Sequence, residues 1–297
     1  MQRLCKRFIG AFMQMRESCP ACGGIGGQCF TVNGYSVKCC ATCDSLFVEN
    51  LPSPEALAAI YTSDGYYELP PDSMRRIAEE NQRRLKLIRG IKPSGKFLDI
   101  GCAHGWLLDQ AAQEGYETFG VEPSSKNAEE AARKGHAVFS GWLEDFSAQN
   151  PDKRFDIVVC LDVIEHINDP QIFLSLAASH LADGGVMVVS TPNYSGVIAK
   201  LLGARDPYMT PPEHVTFLTA AGMRYLASGC GLNVQQYKTF GRLIPSEMDR
   251  AVQRYFPGYL YALGPAIRPA IRLLFWALNL MRLGLEQEVY LTRASES

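Results

Sequence analysis

Lys96-Phe97-Leu98-Asp99-Ile100-Gly101-Cys102-Ala103-His104-Gly105 reads as a short buried strand that breaks into a glycine turn. Glycine reaches backbone conformations closed to residues with a Cβ, so two glycines four positions apart suit a sharp strand-to-helix junction. Outward from this stretch the pattern repeats. Strands are expected at 96–100, 117–122 (ETFGVE), 136–140 (HAVFS), 155–161 (FDIVVCL) and 185–191 (GVMVVST), with two more at 232–240 and 288–294. Helical stretches such as GWLLDQAAQEG and KNAEEAARKG separate them, each closing near glycine. Strand and helix in alternation indicate βαβ units, and the expected architecture is a seven-stranded, doubly wound α/β sheet.

The chain has 297 residues, 47% of them hydrophobic, enough for one full α/β domain and an accessory module. A formal charge of -2 sets up no strong field toward nucleic acid or an acidic membrane, and the partner is expected to be small. Six of the ten cysteines fall between Cys19 and Cys43, a crowding that favours metal and reduced thiols over a disulfide scaffold. The first eighteen residues lack a sustained apolar run and a small-residue cleavage site, so a cytoplasmic setting is expected. The apolar run from Leu273 to Met281 is too short to span a bilayer.

Cys19-x2-Cys22 and Cys40-x2-Cys43 form two knuckles whose spacing places four thiolates around zinc. Cys39 could replace Cys40, although the gap before Cys43 fits Cys40 better, and Cys29 has no partner in the pattern. Four thiolates leave no open position, which makes the metal structural. Three regions follow: a small zinc ribbon with its N-terminal extension over 1–50, a helical linker or lid over 51–95, and a catalytic domain over 96–297 with insertions near 193–212 and 241–286. In the linker, Ile77, Leu85 and Ile88 sit at helical spacing among many charges, as in a solvated helix.

The glycine turn, Glu122 at the end of the second strand and Phe155–Cys160 together resemble the class I S-adenosylmethionine-dependent methyltransferases over residues 96 to 240. The resemblance implies a Rossmann-like sheet, mostly parallel with its last strand antiparallel, and S-adenosylmethionine as cofactor. Gly101 and Gly105 would let the backbone approach the methionine portion, and Glu122 could accept hydrogen bonds from both ribose hydroxyls. By resemblance Asp99 positions the methionine end and Trp142 and Leu143 flank adenine, with Cys102, Ala103 and Leu161 also lining the site. Ala103 stands where the family has its middle glycine. The absence of GxGxxG argues against a nicotinamide cofactor.

After the fourth strand, Asp162, Glu165 and His166 would share one face if the chain there turns as a helix, at the sheet edge where ligands bind such folds. The segment resembles its equivalent in the ubiquinone-biosynthesis O-methyltransferases and the small-RNA 3'-end methyltransferases. There, two acids and a histidine hold a divalent metal beside the acceptor hydroxyl, which implies magnesium here. Asp162 replaces the usual first glutamate. His214, in Pro211-Pro212-Glu213-His214, would serve as a further ligand or a general base. The plain alternative is that Glu165 and His166 cap a helix. His104 is expected near the cofactor, whereas His136 and His180 read as ordinary strand and helix residues.

The expected activity is therefore methyl transfer from S-adenosylmethionine to a small molecule, most readily at a hydroxyl oxygen. The acceptor could be a glycan, a natural product, or a lipid-linked or aromatic hydroxyl. Rival readings are a non-catalytic S-adenosylmethionine-binding scaffold and an RNA methyltransferase, the latter disfavoured by charge. The two insertions mix apolar length with arginines, as do helices at a membrane surface, yet packing on the sheet or in a homodimer is the stronger expectation. Tyr66 and Tyr67 could belong to a lid.

Overall fold

The structure is a computed structural model and describes residues 14–62, 71–241 and 273–294. Tyr66, Tyr67 and most of the 241–286 insertion lie outside the described residues. The N-terminal part contributes β1 (Gln14–Met15), β2 (Gly26–Val32), β3 (Tyr35–Cys40), β4 (Leu46–Val48), β5 (Asn50–Leu51), α1 (Pro54–Tyr61) and α2 (Pro71–Ile91). The alternating region follows as β6 (Lys96–Ile100), α3 (Trp106–Gln113), β7 (Glu117–Glu122), α4 (Ser125–Arg133), β8 (Ala137–Ser140), α5 (Leu143–Gln149) and β9 (Phe155–Leu161). A 3-10 turn at Ile164–His166 leads to α6 (Pro170–Ser179), β10 (Leu181–Pro192), α7 (Val197–Leu202), β11 (Thr216–Phe217), α8 (Ala220–Gly229), β12 (Leu232–Phe240) and β13 (Glu286–Arg293).

Seven strands form the main sheet in the order β12-β13-β10-β9-β6-β7-β8, with β13 antiparallel to both its neighbours. This is the expected sheet. Four of the seven strands match the predicted bounds, while β10 starts earlier because Leu181 pairs with Phe155 ahead of an irregularity near Gly184. The central β9 is almost wholly buried, which its run of Ile, Val and Cys permits. Strand order reverses between β6 and β9, opening a crevice at their carboxyl ends.

The linker helix is less solvated than its charges suggest. Leu85 and Ile88 join the core around Phe97 and Tyr290, and Arg84, 4% exposed, pairs with Glu288 of β13 at 2.7 Å. Burying a guanidinium requires such a partner.

The cysteine block does not stand apart. β2, β3 and β4 form a sheet whose fourth member is β11, from the segment between β10 and α8. Cys19, Cys40, Cys43 and Phe47 share one apolar cluster with Leu98, Val158 and Val189 of the main sheet. Packing is thus continuous across residue 50.

Candidate active site

The glycine turn follows β6 with three left-handed residues: Gly101 (φ 79°), Ala103 (φ 45°) and Gly105 (φ 76°). A Cβ at 101 would lie 2.7 Å from Val163 Cγ2, and one at 105 would lie 3.0 Å from Ala131 Cβ. Both glycines therefore serve backbone handedness and internal packing as well as any approach to a ligand. Ala103 takes the same conformation with a Cβ, a strained choice that its N–H helps to hold by donating to Glu122 Oε2 at 2.9 Å.

Glu122 is wholly buried, and its other oxygen accepts from the Ser124 N–H at 2.9 Å. Burial pushes its carboxyl up, opposed by these backbone donors and by Asn127. The expected diol acceptor is thus already a clamp tying the turn to the start of α4, with three of its roughly four acceptor sites engaged. Asn127 and Ser124 escaped the sequence reading, although the Ser124-x2-Asn127 spacing is that of a helix cap.

Asp99 lies beneath the turn, its carboxyl pushed up to about 7 by burial despite the nearby Arg84 guanidinium. Cys102 packs inward against Gly120, so only its backbone faces the crevice edge. Leu143 belongs to the core, Trp142 caps α5 half-buried, and Leu161 is half-buried at the end of β9. His104 Nδ1 lies 3.0 Å from Glu130 Oε2 beside the turn, and both ring nitrogens of His136 and of His180 have partners.

At the carboxyl end of β9 the helical spacing does not form. Asp162 is left-handed (φ 54°), so it does not share a helix face with Glu165 and His166, and its carboxylate accepts from Ser190 Oγ at 3.0 Å. The group that does assemble is Glu165, His166 and His214, whose ligand atoms lie within 4.8 Å of one another. Glu165, 2% exposed, accepts from Thr191 Oγ1 at 3.0 Å. The α6 cap is Asp169, so helix capping is not the role of this acid.

The two rings stand edge to face with centroids 4.6 Å apart. His166 Nδ1 meets the Glu213 carbonyl at 2.9 Å and His214 Nδ1 meets the Tyr208 carbonyl at 2.7 Å. A carbonyl can only accept, so each Nδ1 carries the proton; the His166 ring has the Asp162 carbonyl as a further partner, whereas His214 Nε2 keeps a lone pair. Burial lowers His166, and burial with the His166 charge lowers His214 to about 3, while burial and Asp162 raise Glu165 well above the carboxylate range. Two neutral imidazoles and a carboxyl that must give up its proton to a cation form a donor set for a first-row divalent ion more than for magnesium, which prefers oxygen.

Tyr61, Tyr208 and Glu286 were missed by sequence reasoning. Tyr61 donates to the Glu213 carbonyl at 2.7 Å and packs its ring on His166, and Tyr208 reaches Glu286 at 3.4 Å. None carries a motif signal.

In the cysteine block, Cys19 Sγ and Cys43 Sγ are 3.7 Å apart, Cys22 Sγ and Cys40 Sγ are 3.4 Å apart, and all four sulfurs lie within 4.8 Å. A tetrahedron with Zn–S of about 2.3 Å has edges of about 3.8 Å, so these thiols fit zinc closely. Cys43 is drawn down to about 5 by the Cys19 thiol and by Ser45.

The sheet order, the reversed β13 and the clamped turn define the class: an α/β fold of the S-adenosylmethionine-dependent methyltransferase type. The chain belongs to the methyltransferase domain family, whose profile matches residues 73–237. It is 37% identical over 125 residues to a ubiquinone biosynthesis O-methyltransferase of Bradyrhizobium sp. (strain ORS 278), covering 41% of this chain and 48% of that protein. Its counterpart in Rhodopseudomonas palustris (strain BisB18) is 37% identical over 162 residues, covering 48% and 61%. The chain thus spans about half the length of the curated relatives it matches. In fold it is similar to magnesium protoporphyrin IX methyltransferase from Synechocystis PCC 6803 with bound S-adenosylhomocysteine, at TM-score 0.55 and 14% identity, covering 82% of this chain and 100% of that one. A SAM-dependent methyltransferase from Archaeoglobus fulgidus gives 0.51 at 17% identity, covering 73% and 93%. No helix among the described residues is long and apolar enough to cross a membrane.

Proposed function

We propose that the chain transfers the methyl group of S-adenosylmethionine to a hydroxyl of a small molecule, with Glu165, His166 and His214 holding a divalent cation at the acceptor side. The observation that carries this reading is adjacency: the clamped turn after β6 and the Glu165–His166–His214 group lie at the carboxyl ends of neighbouring strands, on either side of the crevice. Glu122 grips the ribose diol and the turn from Gly101 to Gly105 carries the methionine end above Asp99, while Trp142 and Leu161 border the adenine side. The bound donor supplies an electrophilic methyl carbon. The acceptor oxygen forms the new C–O bond as the C–S bond breaks, and the hydroxyl proton must leave. The chain's contribution is alignment, exclusion of water and a place that favours the deprotonated oxygen. The four cysteines hold a structural zinc.

Relatives named for ubiquinone biosynthesis favour an aromatic hydroxyl among the acceptors, with glycan and lipid-linked hydroxyls next. Calorimetry with S-adenosylhomocysteine should give binding to the wild-type chain that Glu122→Ala abolishes. Labelled methyl from S-adenosylmethionine should then pass to members of a panel of catechols and sugars in a divalent-dependent way. Equal donor binding by Glu122→Ala would refute the donor assignment. Donor binding with no transfer to any phenol or sugar, but with transfer to RNA, would refute the acceptor class.

A further inference from the structure

β11 belongs to the cysteine block's sheet and not to the main sheet, and it closes the segment that carries His214. Thr216 pairs with Phe47 and Phe217 with Leu46. The residue before them, Val215, is held from both sides: its carbonyl accepts from the Val48 N–H at 2.9 Å, and its own N–H donates to the Glu165 carbonyl at 2.9 Å. One residue thus links the four-cysteine sheet to the acid of the acceptor group.

A second tie runs through the knuckle itself. Thr219 donates its hydroxyl to the Cys43 carbonyl at 2.5 Å, and its N–H donates to Ser45 Oγ at 3.1 Å. Asn33, at the β2–β3 turn, donates to the Pro211 carbonyl at 3.0 Å. Arg16 donates to Thr216 Oγ1 at 3.4 Å and also to the Asn168 carbonyl beyond the 3-10 turn. The segment from Pro211 to Thr219, which carries His214, is therefore fastened to the cysteine block at several points; its Glu213 carbonyl sets the His166 ring, while the Tyr208 carbonyl just ahead of it sets His214. The donor turn is fastened differently, by Glu122 and by the Val121 carbonyl. Nothing in those ties passes through the cysteines.

We propose that the four-cysteine centre positions the acceptor half of the site: metal held by Cys19, Cys22, Cys40 and Cys43 fixes the strand beside His214, and its loss releases Glu165, His166 and His214 while sparing the donor turn. Ser45 and Thr219 are the positioning residues of this link. The inference rests on the methyl-transfer reading only in naming that half the acceptor side. It makes the centre more than a fold staple, because chelation or thiol oxidation would switch off one half-site and leave the other able to bind.

The chain has five histidines, so ring and backbone amide signals from uniform 15N labelling of the full protein resolve the question directly. After zinc is stripped by chelation, the Nδ1 protons of His166 and His214 should exchange at least about tenfold faster, while His104, His136 and His180 and the Ala103 amide keep their protection. Ser45→Ala retains all four cysteines and the zinc, and loses hydrogen bonds to Thr219. It should speed exchange of the Val215 amide about tenfold without changing Ala103. Unchanged His166 and His214 signals in the stripped protein would overturn the inference. So would collapse of all five signals together with Ala103, which would make the centre a general staple. Failure of zinc-loaded protein to bind S-adenosylhomocysteine would count against methyl transfer alone, since none of these readouts uses the donor.

Discussion

Gly101→Ala is the sharpest test of how the donor turn is built. At φ 79° an alanine pays roughly 1–2 kcal/mol for its handedness. Its Cβ would also lie 2.7 Å from Val163 Cγ2, an overlap worth about 1–3 kcal/mol if the valine must move. The stiffer unfolded chain returns about 0.4–1 kcal/mol, leaving a net loss of about 1–5 kcal/mol. The two costs separate in a cycle with Val163→Ala, which removes the opposing methyl. The double variant should recover about 1–2 kcal/mol beyond additivity and keep the handedness penalty. Urea unfolding at constant slope reads all four corners. Stability of Gly101→Ala equal to wild type, or a coupling below about 0.5 kcal/mol, would refute the assignment of Val163 as the obstructing neighbour.

Ala103→Gly, two residues on, should act in the opposite direction, raising stability by about 0.5–1 kcal/mol in a thermal melt, because glycine relieves the left-handed strain. Asp99→Asn tests the buried acid. With the folded carboxyl at about 7 against an unfolded 3.8, the native state holds the proton more tightly, so stability from this group falls as pH rises from about 4 to 7, by up to about 4 kcal/mol. The advantage of Asp99→Asn over wild type should accordingly be near zero at pH 4 and reach a plateau above pH 7; a difference flat across that range contradicts the shift. Cys40→Ser should lower bound zinc below one per chain by metal analysis, while Cys39→Ser and Cys29→Ser keep it, since only Cys40 faces the other three thiols. His214→Gln should weaken manganese binding about tenfold or more in calorimetry and leave S-adenosylhomocysteine binding unchanged.

The sheet was legible because most of its strands are short, apolar-rich runs set off by helical stretches that close near glycine, a local signal that tertiary packing did not override. KFLDI, ETFGVE, FDIVVCL and LNVQQYKTF form strands with the bounds their sequences suggest. The cysteine knuckles were legible for a similar reason, since x2 spacing fixes two thiols on one turn. Asp162 would share a face with Glu165 and His166 only if the chain turned there as a helix; it turns left-handed instead, with the Asp162 N–H donating to the Ser190 carbonyl, a tie invisible to periodicity. Arg84 looked solvated because its partner Glu288 lies about two hundred residues away.

The same distance in sequence explains why the link between the cysteine block and His214 carries no motif. β11 is two residues long, too short to register as a strand on its own, and it exists because β4 offers it an edge. The exposed edge of a small sheet is a liability that folds cover, and here the cover is the segment bearing His214. An element added in front of an α/β domain could have been joined by a linker and left to move. Hydrogen bonds linking Val48, Ser45 and Asn33 to residues 211–219 instead fix its register against the segment that carries His214. If that register is what sets the two imidazoles, a substitution confined to the cysteine block must be felt at Glu165 before it is felt at Glu122.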